Sequence, residues 1–156
     1  NFNFENHTNY LDEKYLPISR IFFDSIFKSE AIIIDSSKFI GQFPLPFKRI
    51  GLVCYKKTYE CDHVIDYVTL DIIEKCRLIK SFVLSCNDSE ITIYNIRSRI
   101  SKDFDTLFTS IEYSSEWVCG DLNPIDTLFT NKIEIDISSK NFDTLSNKII
   151  IKKPYY

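Results

Sequence analysis

The chain has 156 residues, 44% of them apolar and 26% charged, with a net charge of −3. That size suits one domain with its own core, needing neither disulfides nor a metal to fold, and the charge is too weak and too balanced to imply nucleic acid or an anionic membrane as a bulk partner. No apolar run approaches the roughly 18 residues of a spanning helix, so no membrane span is expected.

Residues 1–10 are polar and Asn-rich and are expected to form a loose arm, with residues 11–156 making a single globular domain. Ile18, Ile21, Phe22 and Ile26 follow Pro17 at helical spacing, which predicts a short helix from Ile18 to Phe27. The β-branched run Ala31–Ile34 predicts a strand. Pro44 and Pro46 mark Gln42–Phe47 as a loop or a sheet edge, because proline cannot donate a ladder hydrogen bond. Strands are expected at Ile50–Tyr55 and Val64–Leu70. Over Asp71–Lys80 the residues Ile72, Ile73, Cys76 and Ile79 trace a helical face, predicting a short helix that runs into a strand near Leu78. That strand, the turn residues Asn87-Asp88-Ser89 and the run Ile91–Tyr94 together predict a hairpin.

The last third echoes itself. Phe104-Asp105-Thr106-Leu107, Ile125-Asp126-Thr127-Leu128 and Phe142-Asp143-Thr144-Leu145 each precede an Ile-rich run, and Phe23-Asp24-Ser25-Ile26 is an upstream echo. Asp and Ser/Thr side chains bond nearby backbone N–H groups and nucleate turns, so the unit is expected to be a turn, then further polar turn residues, then a strand. The irregular spacing excludes a solenoid.

Isoleucine is the commonest residue and accompanies 13 Phe and 9 Tyr, with 3 Gly and no Met. Branched and flat side chains suit a pleated, half-buried surface. The fold class expected is therefore mostly β, an antiparallel β-sandwich or partly open barrel with one or two short helices; α+β with helices on one face of an antiparallel sheet is the alternative. Ile, Asn, Lys, Phe and Tyr have A/T-rich codons, which suggests an A/T-rich genome such as that of a virus or parasite.

The five cysteines, Cys54, Cys61, Cys76, Cys86 and Cys119, are odd in number and loosely spaced, as reduced thiols in a cytoplasmic protein are. A secreted setting is the second expectation. It rests on the sequons Asn6-His7-Thr8 and Asn87-Asp88-Ser89, and on a first residue, Asn1, that reads as a trimmed N-terminus. Cys61-Asp62-His63 is the tightest potential ligand group, but zinc sites draw on paired ligands such as C-x-x-C, and no such pair is present. Hydrolase, dinucleotide and P-loop signatures are missing too, so no metal, cofactor or catalytic residue is assigned.

Two features suggest binding. Aromatic and basic residues interleave at Phe47-Lys48-Arg49 and Tyr55-Lys56-Lys57-Thr58-Tyr59, the mixture that binds single-stranded nucleic acid. Along the chain, basic residues gather at Lys48-Arg49, Lys56-Lys57, Lys75-Arg77-Lys80 and Arg97-Arg99-Lys102, and acidic residues prevail from Thr106 to Asn147. The single tryptophan, Trp117, lies in an expected loop from Ser114 to Pro124, and loop tryptophans are frequent interface anchors. The binding candidates are thus Trp117, Tyr55, Tyr59, Lys56, Lys57, Lys48 and Arg49. The function expected first is a non-enzymatic protein-interaction or assembly module, viral in character, whose partner is a protein or a second copy. A single-stranded nucleic-acid-binding module is the second reading. An enzyme with a Cys/His site unrecognisable by motif is the third.

Overall fold

The computed structural model describes residues 2–4, 34–60, 63–88, 93–114 and 128–152, and all of them lie in β-strands or the turns between them. The strands are β1 (Phe2–Phe4), β2 (Ile34–Leu45), β3 (Arg49–Glu60), β4 (His63–Glu74), β5 (Arg77–Asp88), β6 (Ile93–Ile100), β7 (Thr106–Ser114), β8 (Leu128–Asp136) and β9 (Thr144–Lys152). Every pairing is antiparallel. From β2 to β9 each strand pairs with its neighbour in sequence, giving one meandering sheet. The sheet does not close, since β2 and β9 are its two ends among the described residues. The fold is therefore mostly β, as the Ile/Phe/Tyr content predicts.

Several expectations fall on other ground. The helix at Ile18–Phe27, most of the Ala31–Ile34 run and the loop around Trp117 lie outside the described residues. Phe2–Phe4, inside the expected loose arm, form β1 and pair with Ile100–Ser98 of β6. The helix expected within Asp71–Lys80 is replaced by the end of β4, a two-residue turn and the start of β5, with Glu74 paired to Arg77. The apparent helical face arises because β4 is buried on both sides: Ile72 and Ile73 point opposite ways and both are buried. Lys75 (φ 50°) and Cys76 (φ 60°) both take left-handed backbone, the geometry of a type I′ hairpin turn.

The Asp-Thr echo is a hairpin joint. In the β6–β7 connection the Ser101 hydroxyl accepts from the N–H groups of Asp105 (3.1 Å) and Thr106 (3.1 Å), and Phe104 sits at φ 56°. In the β8–β9 connection the Ser139 hydroxyl accepts from the Asp143 N–H (2.9 Å), and Phe142 sits at φ 57°. The two joints share more than Phe-Asp-Thr-Leu: Ser101-Lys102-Asp103-Phe104-Asp105-Thr106-Leu107 matches Ser139-Lys140-Asn141-Phe142-Asp143-Thr144-Leu145 at all but one position. No polar turn follows the unit, contrary to expectation. Its Thr is already the first strand residue of β7 and β9, while the Ile125-Asp126-Thr127 copy and the Phe23-Asp24-Ser25 echo lie outside the described residues. The joints also touch, since the Asp105 carbonyl accepts from the Ile137 N–H (2.8 Å).

The main core joins Phe43, Leu45, Val53, Tyr55, Val68, Leu70, Ile72 and Leu84 to Ile100, Leu107 and Ile137. Phe43 stacks on Phe104 at 4.5 Å between ring centroids, which ties the start of the sheet to the β6–β7 joint. Gly51 makes room for that stack, because a Cβ there would lie 2.7 Å from the Phe43 ring. A second cluster, Leu52, Cys54 and Ile73 with Phe39 and Leu78, occupies the opposite face of β3 and β4.

Candidate functional site

The residues singled out by sequence separate in the structure. Alternation along β3 sends Tyr55 and Lys56 to opposite faces, so the basic-aromatic stretch forms no continuous platform. Tyr55 is buried, and its hydroxyl donates to Asp66 Oδ1. Burial above all, then the bond to Asp66 and that carboxylate's charge, hold the Tyr55 phenol well above the ordinary tyrosine range. Lys56 is also buried: its Nζ lies 3.0 Å from Asp71 Oδ2, and Asp71 further accepts from Thr69 Oγ1 (2.9 Å) and Ser81 Oγ (2.6 Å). These two side chains belong to the interior, not to an open binding face.

Arg49 is a brace. Its Nε lies 3.1 Å from Glu74 Oε1, its Nη1 and Nη2 donate to the carbonyls of Ser139 (3.2 Å) and Lys140 (3.0 Å), and its guanidinium stands over the rings of Phe47 (5.2 Å) and Phe142 (5.0 Å). It fastens the β2–β3 turn to the β8–β9 joint. Lys48 is exposed in the β2–β3 turn at φ 57°, Lys57 is half-buried on β3, and Tyr59 lies near the end of β3. Trp117 lies outside the described residues. Cys76 is an exposed free thiol in the β4–β5 turn, and among the described residues no cluster of His, Cys, Asp and Glu is built to hold a metal ion. No helix among them is long and apolar enough to cross a membrane.

Two surfaces that the linear sequence does not advertise stand out instead. The first is the outer edge of β9, with which no strand pairs among the described residues. Leu145, Ile149 and Ile151 are 56%, 62% and 68% exposed, the most exposed large apolar side chains among the described residues. From Ser146 to Lys152 the strand pairs regularly with β8 and contains no proline, with Lys148 and Lys152 as its charged residues. Beside Ile149 across the ladder, Asn131 has a buried Oδ1 with no hydrogen-bond partner. The other end of the sheet is guarded: β2 carries Pro44 and two register irregularities, near Ser36 and Ile40.

The second surface is a depression of about 330 Å³ over β6, β7 and β8, lined by Arg97, Arg99, Phe108, Ser110, Lys132 and Glu134 among others. Register places Arg97, Ser110, Lys132 and Lys148 in one row across four strands, and Arg99, Phe108, Glu134 and Ser146 in the next. The Arg99 guanidinium lies 4.1 Å from the Phe108 ring centroid. Alternation of Arg97 and Arg99 about Ser98 was the one linear hint of it. Lys132 and Lys148 join only once the strands are in register.

No protein-family model, curated protein or solved structure matches this chain.

Proposed function

We propose that the chain is a non-enzymatic assembly module that pairs with a second copy of itself through the free edge of β9. The observation that carries this reading is the set of exposed Leu145, Ile149 and Ile151 on a terminal strand whose outer backbone groups have no described partner. Exposed apolar edge strands template the addition of another strand, and natural sheets block them unless they are used. Antiparallel pairing about Ile149 sets Ile149 against its own copy, Ile151 against Asn147 and Lys148 against Ile150. Pairing about Lys148 would set two ammonium groups directly opposite, which is unfavourable. The guarded β2 edge disfavours a head-to-tail β9–β2 contact, so association stops at a two-fold dimer and does not run on into a filament.

Two further readings accompany it. The Phe43–Phe104 stack and the reach of Arg49 to Ser139 and Lys140 support a sheet folded over on itself, in the manner of a sandwich or partly open barrel. The exposed free thiol at Cys76 supports a reducing, cytoplasmic setting.

Sedimentation at increasing concentration tests the dimer. A mass that rises towards two chains, and returns to one in an Ile149→Lys, Ile151→Lys variant with unchanged melting, is expected. A monomer at every concentration, or a dimer indifferent to those substitutions, overturns it.

A further inference from the structure

We infer that the depression on the outer face of β6–β8 is a binding site for single-stranded nucleic acid. Three cations, Arg97, Lys132 and Lys148, lie in one cross-strand row, all exposed and none engaged in an ion pair among the described residues. Adjacent strands lie about 4.8 Å apart, so the row runs about 14 Å from β6 to β9. That is a track for the backbone of an extended strand, a few phosphates long. Next to it, the exposed Arg99 guanidinium sits 4.1 Å from the Phe108 ring centroid, a planar cation and an aromatic ring on which a base can stack. Glu134, half-buried on the same row as Arg99 and Phe108, is an acceptor for the amino groups of bases.

This combination decides between ligand classes. A bare polyanion gains from the cations but has nothing to stack on the plane or to donate to Glu134. An acidic peptide likewise brings no base. An oligonucleotide uses all three parts. The site lies apart from the Phe47–Tyr59 region, whose Arg49 and Lys56 are occupied internally, and it does not depend on β9 pairing.

The test is fluorescence anisotropy of the 156-residue chain with labelled oligo-U and oligo-dT, across a salt series, with inorganic polyphosphate as the stackless comparison. Oligonucleotide binding should weaken with salt by a log–log slope of about −0.7 per phosphate contacted. Arg97→Glu with Lys132→Glu should lower the affinity by at least about tenfold. Lys75→Glu with Lys102→Glu, the same charge change on exposed residues elsewhere, should lower it less than about twofold. Arg99→Lys keeps the charge but removes the plane, so it should weaken oligonucleotide binding and spare polyphosphate. All five positions are exposed, so melting temperatures report whether the fold is intact. Absence of binding at low salt, equal losses in the two double variants, or an Arg99→Lys variant that treats oligonucleotide and polyphosphate alike would each overturn the assignment.

Discussion

Lys56 Nζ and Asp71 Oδ2 stand 3.0 Å apart on adjacent strands, with side-chain exposures of 1% and 0%. Burying such a pair costs each ion its hydration, and mutual attraction with the Thr69 and Ser81 hydroxyl bonds offsets that cost. Breaking the pair is therefore worse than removing it. Lys56→Met or Asp71→Leu alone should destabilise by about 3–5 kcal/mol, and the double substitution should recover most of the loss. Urea unfolding of the three variants checks this, and additive losses would contradict it.

Tyr55 makes stability fall in alkali. Its phenol pKa is raised in the fold, so the folded chain keeps a proton that the unfolded chain releases from about 10.0 upward. Its contribution is complete below pH 10 and declines as pH rises towards the folded value. Tyr55→Phe removes the titrating group. The variant's unfolding free energy should be flatter above pH 10 than the parent's, measured by denaturant titration at a series of alkaline pH values.

The β4–β5 turn holds two side-chain-bearing residues, Lys75 and Cys76, in left-handed backbone. Asn and Gly accept this geometry at lower cost. Lys75→Asn with Cys76→Gly should stabilise the protein by about 1 kcal/mol, read as a higher urea midpoint with an unchanged slope.

Arg49 acts through geometry more than charge. Arg49→Lys keeps the cation but cannot reach Glu74, Ser139 and Lys140 together or offer a planar group to the rings of Phe47 and Phe142. A loss of about 2–3 kcal/mol is expected, little better than Arg49→Ala. Oligonucleotide affinity should not change, which separates this brace from the basic row on β6–β9.

Much of the sheet was legible in the sequence because period-two alternation is local. Ile133, Ile135 and Ile137, or Leu84 and Cys86, carry their strand signal within a few residues. The Asp71–Lys80 segment carries a helical pattern because both faces of β4 are buried and its turn lacks the Asn or Gly that usually marks a hairpin. The basic doublet Lys56-Lys57 looked like a surface feature because burial of a lysine depends on a partner fifteen residues away. The Arg97–Lys132–Lys148 row and the bare edge of β9 are properties of register and strand order, and neither leaves a mark on any single stretch of chain.

The matched joints at Ser101–Leu107 and Ser139–Leu145 have one more consequence. They make the second half of the sheet two hairpins turned by the same seven-residue device, each laid beside the last. A structure extended by repeating one step has no intrinsic last member, and its growing end always presents the surface on which the next copy would settle. β9 is that end. Its exposed Ile149 and Ile151 lie where the face shared by the preceding strands continues, on the last of the described strands.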